Sequence, residues 1–215
     1  MQFRSMKDQV YDYISGEICS GRLASDTEIN EGALCTALNI SRTPVREALM
    51  QLANNGYIEH IPRRGFFTRS LSSQKASNLL QIIGILESAA AAMAMKNGQI
   101  DFTTLRKLIT KMNQSIQKKD MSAFIDQQTV FHDIINKASG NEDLVRLIEN
   151  NKKFFLHDKY LSTEATEESL RIATEMNHGH SKIVDLLEAK DRDGLVSYLV
   201  DVHWNPRNEK FHAYN

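Results

Sequence analysis

The stretch Ser41-Arg42-Thr43-Pro44-Val45-Arg46-Glu47-Ala48-Leu49-Met50-Gln51-Leu52 decides the fold of the first third of this chain. It predicts one helix, in which Thr43 caps the first turn and Pro44 takes the first helical position. One apolar face recurs at helical spacing and consists of Val45, Ala48, Leu49, Leu52 and Ala53. Arg42 and Arg46 share the other face, where two guanidinium groups suit a polyanion such as DNA. The alternative is a surface helix with two solvated arginines.

The segments on both sides of this helix favour a winged helix-turn-helix. Before it, residues 29–40 predict a short helix that ends at Asn39 and carries Leu34, Ala37 and Leu38. A short helix, a tight turn and a second helix with exposed arginines form a helix-turn-helix. After it, residues 57–61 and 66–68 predict two strands around the basic turn at 62–65, which would be the wing.

These residues carry a resemblance to a known family. The motifs ISRTPVREAL at 40–49, NGYI at 55–58 and PRRG at 62–65 closely resemble the DNA-binding domain of GntR-family bacterial transcription regulators. The remaining chain resembles the all-helical effector domain of the FadR-type branch. The resemblance implies a winged helix-turn-helix at 1–69, a linker at 70–73 and a helical effector-binding and dimerisation domain at 74–215. The DNA contacts it implies are those of Arg42, Thr43, Arg46, Arg63, Arg64 and Gly65.

Composition agrees with a soluble regulator. Of the 215 residues, 41% are hydrophobic and 25% charged, which is ordinary for a globular protein. The net charge is only −1, but residues 41–70 hold five Arg against two Glu, a local balance of +3 on the part that would face DNA. The two cysteines, Cys19 and Cys35, lack metal-site spacing and are expected to be buried and reduced. With no leader at the start and an apolar run at 79–95 interrupted by polar residues, we expect a cytoplasmic protein.

Periodicity predicts a mostly helical protein. The first helix is expected at 6–19, with Val10, Tyr13, Ile14 and Ile18 under the helix-turn-helix and Gly21 at its end. After the linker, an antiparallel bundle of about six helices is predicted. Their expected ranges are 74–96, 102–118, 121–138, 142–161, 166–189 and 194–204. Asp101 and Asp120 are expected to cap the second and third of them.

Three histidines fall on the inward faces of three predicted bundle helices. Phe124, Gln128, Phe131, His132 and Ile135 form one stripe. The second stripe contains Ile172, Met176, His180, Ile183, Val184 and Leu187, and the third contains Leu195, Leu199, Val202 and His203. A single buried histidine is usually a core residue with a hydrogen-bond partner, but three that converge suggest a site. Glu87 and Glu175 have no assigned role and are expected to be solvated.

The family resemblance implies what this site does. Many FadR-type effector domains hold a divalent metal through an aspartate four residues before a Phe-His pair and two later histidines. Phe131-His132, His180 and His203 match the pair and the later histidines, whereas Gln128 replaces the aspartate. The resemblance therefore implies an effector site at Gln128, His132, His180 and His203, with the three histidines as ligands of zinc or nickel, or of copper where it is available. A metal-free polar pocket is the alternative.

Two further positions depart from the family pattern. An arginine that often precedes the Leu86-Glu87 pair by three residues is Ile83 here, which weakens the expectation of an organic-acid effector. Gly32 replaces an arginine that often contacts DNA, so the operator preference is expected to differ.

Two functions remain open at this point. One is a ligand-responsive DNA-binding regulator that forms a homodimer through its helical bundle, in which the alanine-rich helix at 74–96 permits close helix packing. The other is a helical metalloenzyme with a three-His metal, for which a winged helix has no role.

Overall fold

The computed structural model describes residues 5–19, 22–24, 26–68, 73–156 and 164–207. The chain forms two compact units, whose described parts are mainly residues 5–68 for the first and residues 73–155 and 164–207 for the second. Residues 70–72 of the predicted linker and the expected helix end at Gly21 lie outside the described residues, and Ser73, predicted as the last linker residue, already belongs to a helix.

The N-terminal unit is a winged helix-turn-helix. Its described elements are helices α1 Met6–Cys19, α2 Glu31–Leu38 and α3 Arg42–Asn54, and strands β1 Glu28–Ile29, β2 Ile58–Ile61 and β3 Gly65–Thr68. The strands form an antiparallel sheet in the order β1-β3-β2, in which Ile58 pairs with Thr68 and Ile61 with Gly65. The strand β1 was not predicted, because two residues are too few for a periodic signal.

Side chains and backbone geometry set the ends of the two helices of the motif. The Asn30 side chain accepts a hydrogen bond from the Ala33 N–H and caps α2, and Asn39 ends it in the left-handed conformation with φ 53°. Helix α3 begins at Arg42 with Ser41 in the cap position, so the predicted cap at Thr43 is wrong. Pro44 is the third helical residue, which it can occupy because first-turn N–H groups have no partner within the helix.

The apolar face of α3 is the centre of the N-terminal core. Val45, Ala48, Leu49 and Leu52 are fully buried, and Val10, Ile14 and Ile18 of α1 belong to the same cluster. Tyr13 is 42% exposed and does not belong to this cluster, contrary to prediction. Cys35 is a free thiol that is only partly buried.

The C-terminal unit is a helical bundle. Its described elements are α4 Ser73–Asn97, α5 Phe102–Gln117, α6 Met121–Ala138, α7 Glu142–Leu156, α8 Glu167–Glu188, α9 Arg192–Ser197 and a π-helix at Tyr198–His203. Asp101 and Asp120 cap α5 and α6 by accepting from the Thr104 and Ala123 N–H groups, as predicted. The predicted continuation of α7 to residue 161 lies outside the described residues. The mostly helical fold class is confirmed.

The π-helix changes which residues face inward at the end of the chain. The Trp204 N–H donates to the Leu199 carbonyl, a spacing of five residues rather than four. The wider turn keeps Leu199 and His203 buried and turns Val202 outward, where it is 44% exposed. The predicted inward position of Val202 is therefore wrong, while that of His203 is correct.

Helix α4 is the central helix of the bundle. Within the described ranges, Ser77–Asn97 is long and apolar enough to cross a membrane by length and composition, and half of its most apolar window is buried. Its buried face packs on α6, α9 and the π-helix. This burial is what a core helix requires, so the helix needs no membrane to cover it.

Gly84 allows a close approach between α4 and the end of the chain. A Cβ at this position would lie 3.0 Å from the Trp204 Cβ and 3.6 Å from the Leu199 carbonyl oxygen. Gly84→Ala is expected to cost about 1–3 kcal/mol of unfolding free energy, because overpacking forces the helices apart. Gly16→Ala is the control, since a Cβ there meets nothing within 4 Å. Urea unfolding should show a lower midpoint for the first variant only, and an unchanged midpoint would contradict the close packing.

Candidate metal and effector centre and DNA-binding surface

The structure brings the three predicted histidines together inside the bundle. His132 on α6, His180 on α8 and His203 on the π-helix each offer one ring nitrogen, and these atoms lie within 4.8 Å of one another. All three side chains are buried, at 5%, 0% and 2% exposure. The Nε2 atoms of His132 and His203 are 3.3 Å apart. Three imidazoles from distant parts of the sequence therefore form one buried cluster.

The donor set fits a divalent metal. A zinc ion bound tetrahedrally at 2.0–2.1 Å separates two ligand nitrogens by roughly 3.3–3.4 Å. The His132–His203 nitrogen distance of 3.3 Å matches this separation, and all three ligand nitrogens lie within 4.8 Å of one another. Gln128 lies one turn before His132 on the buried face of α6 and is 8% exposed. Its neutral amide leaves three imidazoles as the ligands that suit zinc, nickel or copper.

Glu87 of α4 forms hydrogen bonds next to this histidine cluster, one of them with His132. Its carboxylate Oε2 accepts hydrogen bonds from His132 Nδ1 at 2.9 Å and from Trp204 Nε1 at 2.8 Å. Its Oε1 accepts from Asn136 Nδ2 at 2.9 Å and forms an ion pair with Lys152 Nζ. The expectation that Glu87 is solvated is wrong, since the residue is 2% exposed.

The hydrogen bonds define the protonation of this network. Burial alone would raise the pKa of Glu87, but His132 and Lys152 hold that pKa well below its usual range, so the carboxylate is ionised. Burial lowers the pKa of His132, and the neighbouring Glu87 only partly opposes this shift. A neutral His132 has one ring proton, which lies on Nδ1 because the carboxylate can only accept. Its Nε2 lone pair therefore faces the other histidines.

The helical spacing of the sequence around Glu87 places this residue on a buried face of α4. Leu80, Ile83, Glu87 and Ala94 are spaced so that they fall on one face of a helix, and all four are buried. Ile83, at the position where the family resemblance implied an arginine, is fully buried in this face. A carboxylate in the buried face of the most apolar helix needs partners. The partners Lys152, Asn136 and Trp204 had no comparable signal.

Helix α3 presents the predicted DNA-contacting residues on an open groove. Arg42, Thr43 and Arg46 line a groove of about 820 Å³ that Lys7 of α1 and His60 of β2 also line. Arg46 is 61% exposed and its Nη1 lies 3.7 Å from the Glu31 carboxylate. No sequence pattern indicated Lys7 of α1 or His60 of β2 at this surface, because both lie on elements other than α3.

The hairpin places the other predicted basic residues at its turn. Arg63 and Arg64 are exposed, and Arg63 has a positive φ of 66° at the apex. The Arg64 guanidinium carbon lies 5.3 Å from the centre of the Phe67 ring, which restricts the side chain. Gly65 has φ 104°, a conformation that other residues rarely adopt. These three residues do not line the groove beside α3.

Comparison with known families assigns both units. The family model for bacterial regulatory proteins of the gntR family matches residues 6–68, and the model for the FCD domain matches residues 78–202. The chain belongs to the GntR family. Its FCD domain is the helical effector-binding part of the FadR-type branch, so the resemblance noted from the sequence is confirmed.

The sequences of relatives align with most of this GntR-family chain. The probable D-xylose utilization operon transcriptional repressor of Paenarthrobacter nicotinovorans is 29% identical over 199 residues, covering 93% of this chain and 85% of the relative. The gluconate operon transcriptional repressor of Bacillus subtilis strain 168 is 27% identical, covering 85% of this chain and 75% of the relative. The solved structure of E. coli McbR/YncC has the same fold, with a TM-score of 0.74 at 24% identity and coverage of 99% and 100%.

These comparisons define the general function. The GntR-family protein is a DNA-binding transcription regulator with an effector-binding FCD domain, and it is not an enzyme. Family members bind operator DNA and small-molecule effectors. The metalloenzyme alternative therefore has no support.

Proposed function

We propose that this regulator binds its operator through α3 and the wing and senses a small effector at the three-histidine centre of its FCD domain. Residues 1–69 would bind DNA, 70–73 would link, and 74–215 would sense and dimerise in the cytoplasm. The DNA contacts would come from Arg42, Thr43, Arg46, Arg63, Arg64 and Gly65, which are exposed or lie at the hairpin turn. The observation that carries the sensing proposal is the convergence of His132, His180 and His203 within 4.8 Å.

A divalent metal would be held by the three histidines. Zinc or nickel suits imidazole ligands, and copper binds more tightly where it is available. The metal would supply a Lewis-acidic position at which an oxygen of the effector binds. Gln128, as a neutral amide, would hydrogen-bond to that oxygen or to a water rather than bind the metal.

Although Ile83 replaces the arginine that would pair with an organic acid, a bound metal would itself favour an anionic effector. Glu87 and Lys152 form an ion pair and cancel each other, the Gln128 amide is uncharged, and a histidine binds a metal as a neutral imidazole. A bound divalent cation would therefore keep its full charge, which a carboxylate or another oxyanion neutralises. The named relatives regulate D-xylose and gluconate operons, so sugars and sugar acids are the first effectors to test.

The regulator is proposed to act as a homodimer, since one helix-turn-helix contacts only a half-site. An exposed apolar stripe on α4 consists of Ile82, Ile85, Ala89 and Met93. Ala90, Ala91 and Ala94 are buried within the chain's own bundle and are not available to a partner.

Ile82→Glu/Ile85→Glu is expected to give the monomer mass in light scattering at micromolar concentration, while wild type gives the dimer mass. Leu147→Glu, an exposed apolar position on α7, is the control. A wild-type monomer that does not pair on DNA would remove the dimer proposal.

Metal analysis tests the sensing centre. Protein purified without an affinity tag is expected to contain about one metal per chain, and His132→Ala/His180→Ala is expected to contain almost none, because one histidine alone cannot retain the ion. His178→Ala is the control, since His178 lies on α8 but is exposed. Equal, near-zero content in wild type and double variant would eliminate the metal.

Effector titrations separate the metal from the pocket. Thermal shift and gel-shift measurements with sugars and sugar acids should show a response in wild type that the His132→Ala/His180→Ala variant lacks. A response in metal-free wild type that disappears in the variant would favour the polar pocket without metal. A response that both proteins retain would place the effector elsewhere.

A further inference from the structure

We propose that Glu87 is a positioning residue for the histidine centre: its carboxylate fixes the tautomer and direction of His132, so that Nε2 is available as a ligand. This inference rests on the proposed function for the metal, but its first consequence, the position of one ring proton, exists in the metal-free protein. The sequence did not assign Glu87 any role.

The two oxygens of Glu87 have different partners. Oε2 accepts from the two donors beside the centre, His132 Nδ1 at 2.9 Å and Trp204 Nε1 at 2.8 Å. Oε1 accepts from Asn136 Nδ2 at 2.9 Å and pairs with Lys152 Nζ. Donors from α6, α7 and the end of the chain thus hold the carboxylate in one orientation. Rotating the carboxylate would break several hydrogen bonds in a buried environment, which makes it a fixed reference for the ring of His132.

The tautomer of His132 decides whether it can be a ligand. With the proton on Nδ1, the Nε2 lone pair points toward His203 Nε2, 3.3 Å away. With the proton on Nε2, the same atom would be a donor and would block that position. A hydrogen bond from the second ring nitrogen to a carboxylate also makes the ligating nitrogen more basic, and loss of such a partner typically weakens metal binding 10–100-fold.

The isosteric change Glu87→Gln gives a directional expectation. The ammonium of Lys152 would keep the one remaining oxygen of the side chain on its own side. The new NH₂ group would then face His132 Nδ1 and Trp204 Nε1, which were both donors to the carboxylate. His132 can accept this NH₂ only by moving its proton from Nδ1 to Nε2. The substitution therefore preserves the shape of the side chain and reverses the direction of one hydrogen bond.

The experiment compares Glu87→Gln with Asn136→Ala in the full-length protein. Asn136 binds the same carboxylate, but on Oε1, so its loss leaves the His132 hydrogen bond in place. Long-range ¹H–¹⁵N correlation of the imidazoles in metal-free protein reports the tautomer, and His132→Gln assigns the signal. Competition against a zinc chelator reports metal affinity. Wild type and Asn136→Ala are expected to have His132 in the Nδ1–H tautomer, and their zinc affinities should agree within about threefold. Glu87→Gln is expected to have His132 in the Nε2–H tautomer and to bind zinc about 10–100-fold more weakly than wild type.

Each outcome decides the proposal. Retention of the Nδ1–H tautomer in folded Glu87→Gln would overturn the proposal. Equal losses of zinc affinity in Glu87→Gln and Asn136→Ala would also overturn it, because Glu87 would then only stabilise the fold. If wild type binds no zinc but the tautomer changes as expected, the metal part of the proposed function fails while the positioning role stands. If Glu87→Gln does not fold, Glu87→Asp keeps the charge but retracts the carboxylate from Nδ1. Unchanged tautomer and affinity in that variant would also overturn the proposal.

Discussion

The double variant Arg42→Ala/Arg46→Ala is expected to bind its operator at least about 30-fold more weakly than wild type, because each lost arginine contact costs about 1–3 kcal/mol. Both residues line the open groove beside the recognition helix and lie one helical turn apart. The operator can be obtained by letting wild type select duplexes from a random-sequence pool. Gel-shift titrations at several salt concentrations should also show a smaller salt dependence, by about one unit for each phosphate contact that is lost.

Lys107→Ala/Lys111→Ala is the matched control for this variant. These two lysines are also four residues apart and exposed, but they lie on α5 of the FCD domain. The control removes the same charge and should leave operator affinity nearly unchanged, because both lysines lie outside the DNA-binding unit. If the arginine variant bound the operator as well as wild type, the proposed docking of α3 would be wrong.

The DNA-binding unit could be predicted almost completely because its signals are local. The apolar spacing of Val45, Ala48, Leu49 and Leu52 gave the recognition helix, and all four residues are buried. The basic turn at 62–65 gave the hairpin, which pairs as expected. The errors were the cap of α3, for which Ser41 and Thr43 are both suitable residue types, the buried position predicted for Tyr13, and the two-residue strand β1.

The histidine centre could be predicted only in part. Helical spacing placed His132, His180 and His203 inward, and the structure brings them together. Glu87 was missed because a glutamate on a helix is usually solvated, and its partner Lys152 is 65 positions away in the sequence. Spacing along one helix cannot show contacts between helices. The outward turn of Val202 was missed because periodicity assumes an α-helix, whereas the chain forms a π-helix there.

The same network predicts a large effect on stability. Glu87→Ala is expected to lower the free energy of unfolding by about 3–5 kcal/mol, because it leaves the Lys152 ammonium, which is 15% exposed, without its counter-charge. Asn136 and Trp204 also lose a buried acceptor. Urea unfolding followed by circular dichroism measures this loss. Glu175→Ala is the control: Glu175 is 52% exposed and pairs with Arg171 on the surface of α8, so its loss should cost at most about 1 kcal/mol.

A second substitution distinguishes loss of charge balance from loss of packing. In Glu87→Met/Lys152→Met both members of the buried ion pair are removed, and replacing such a pair by apolar side chains of similar size is often close to neutral. The double variant is therefore expected to be more stable than Glu87→Ala, with a coupling energy of about 1–3 kcal/mol between the two sites. The free energy of unfolding of the double variant will stay below that of wild type, because Asn136, Trp204 and His132 still lack the acceptor that Glu87 provided. Equal stability of Glu87→Ala and Glu175→Ala would show that the buried carboxylate does not hold the bundle together.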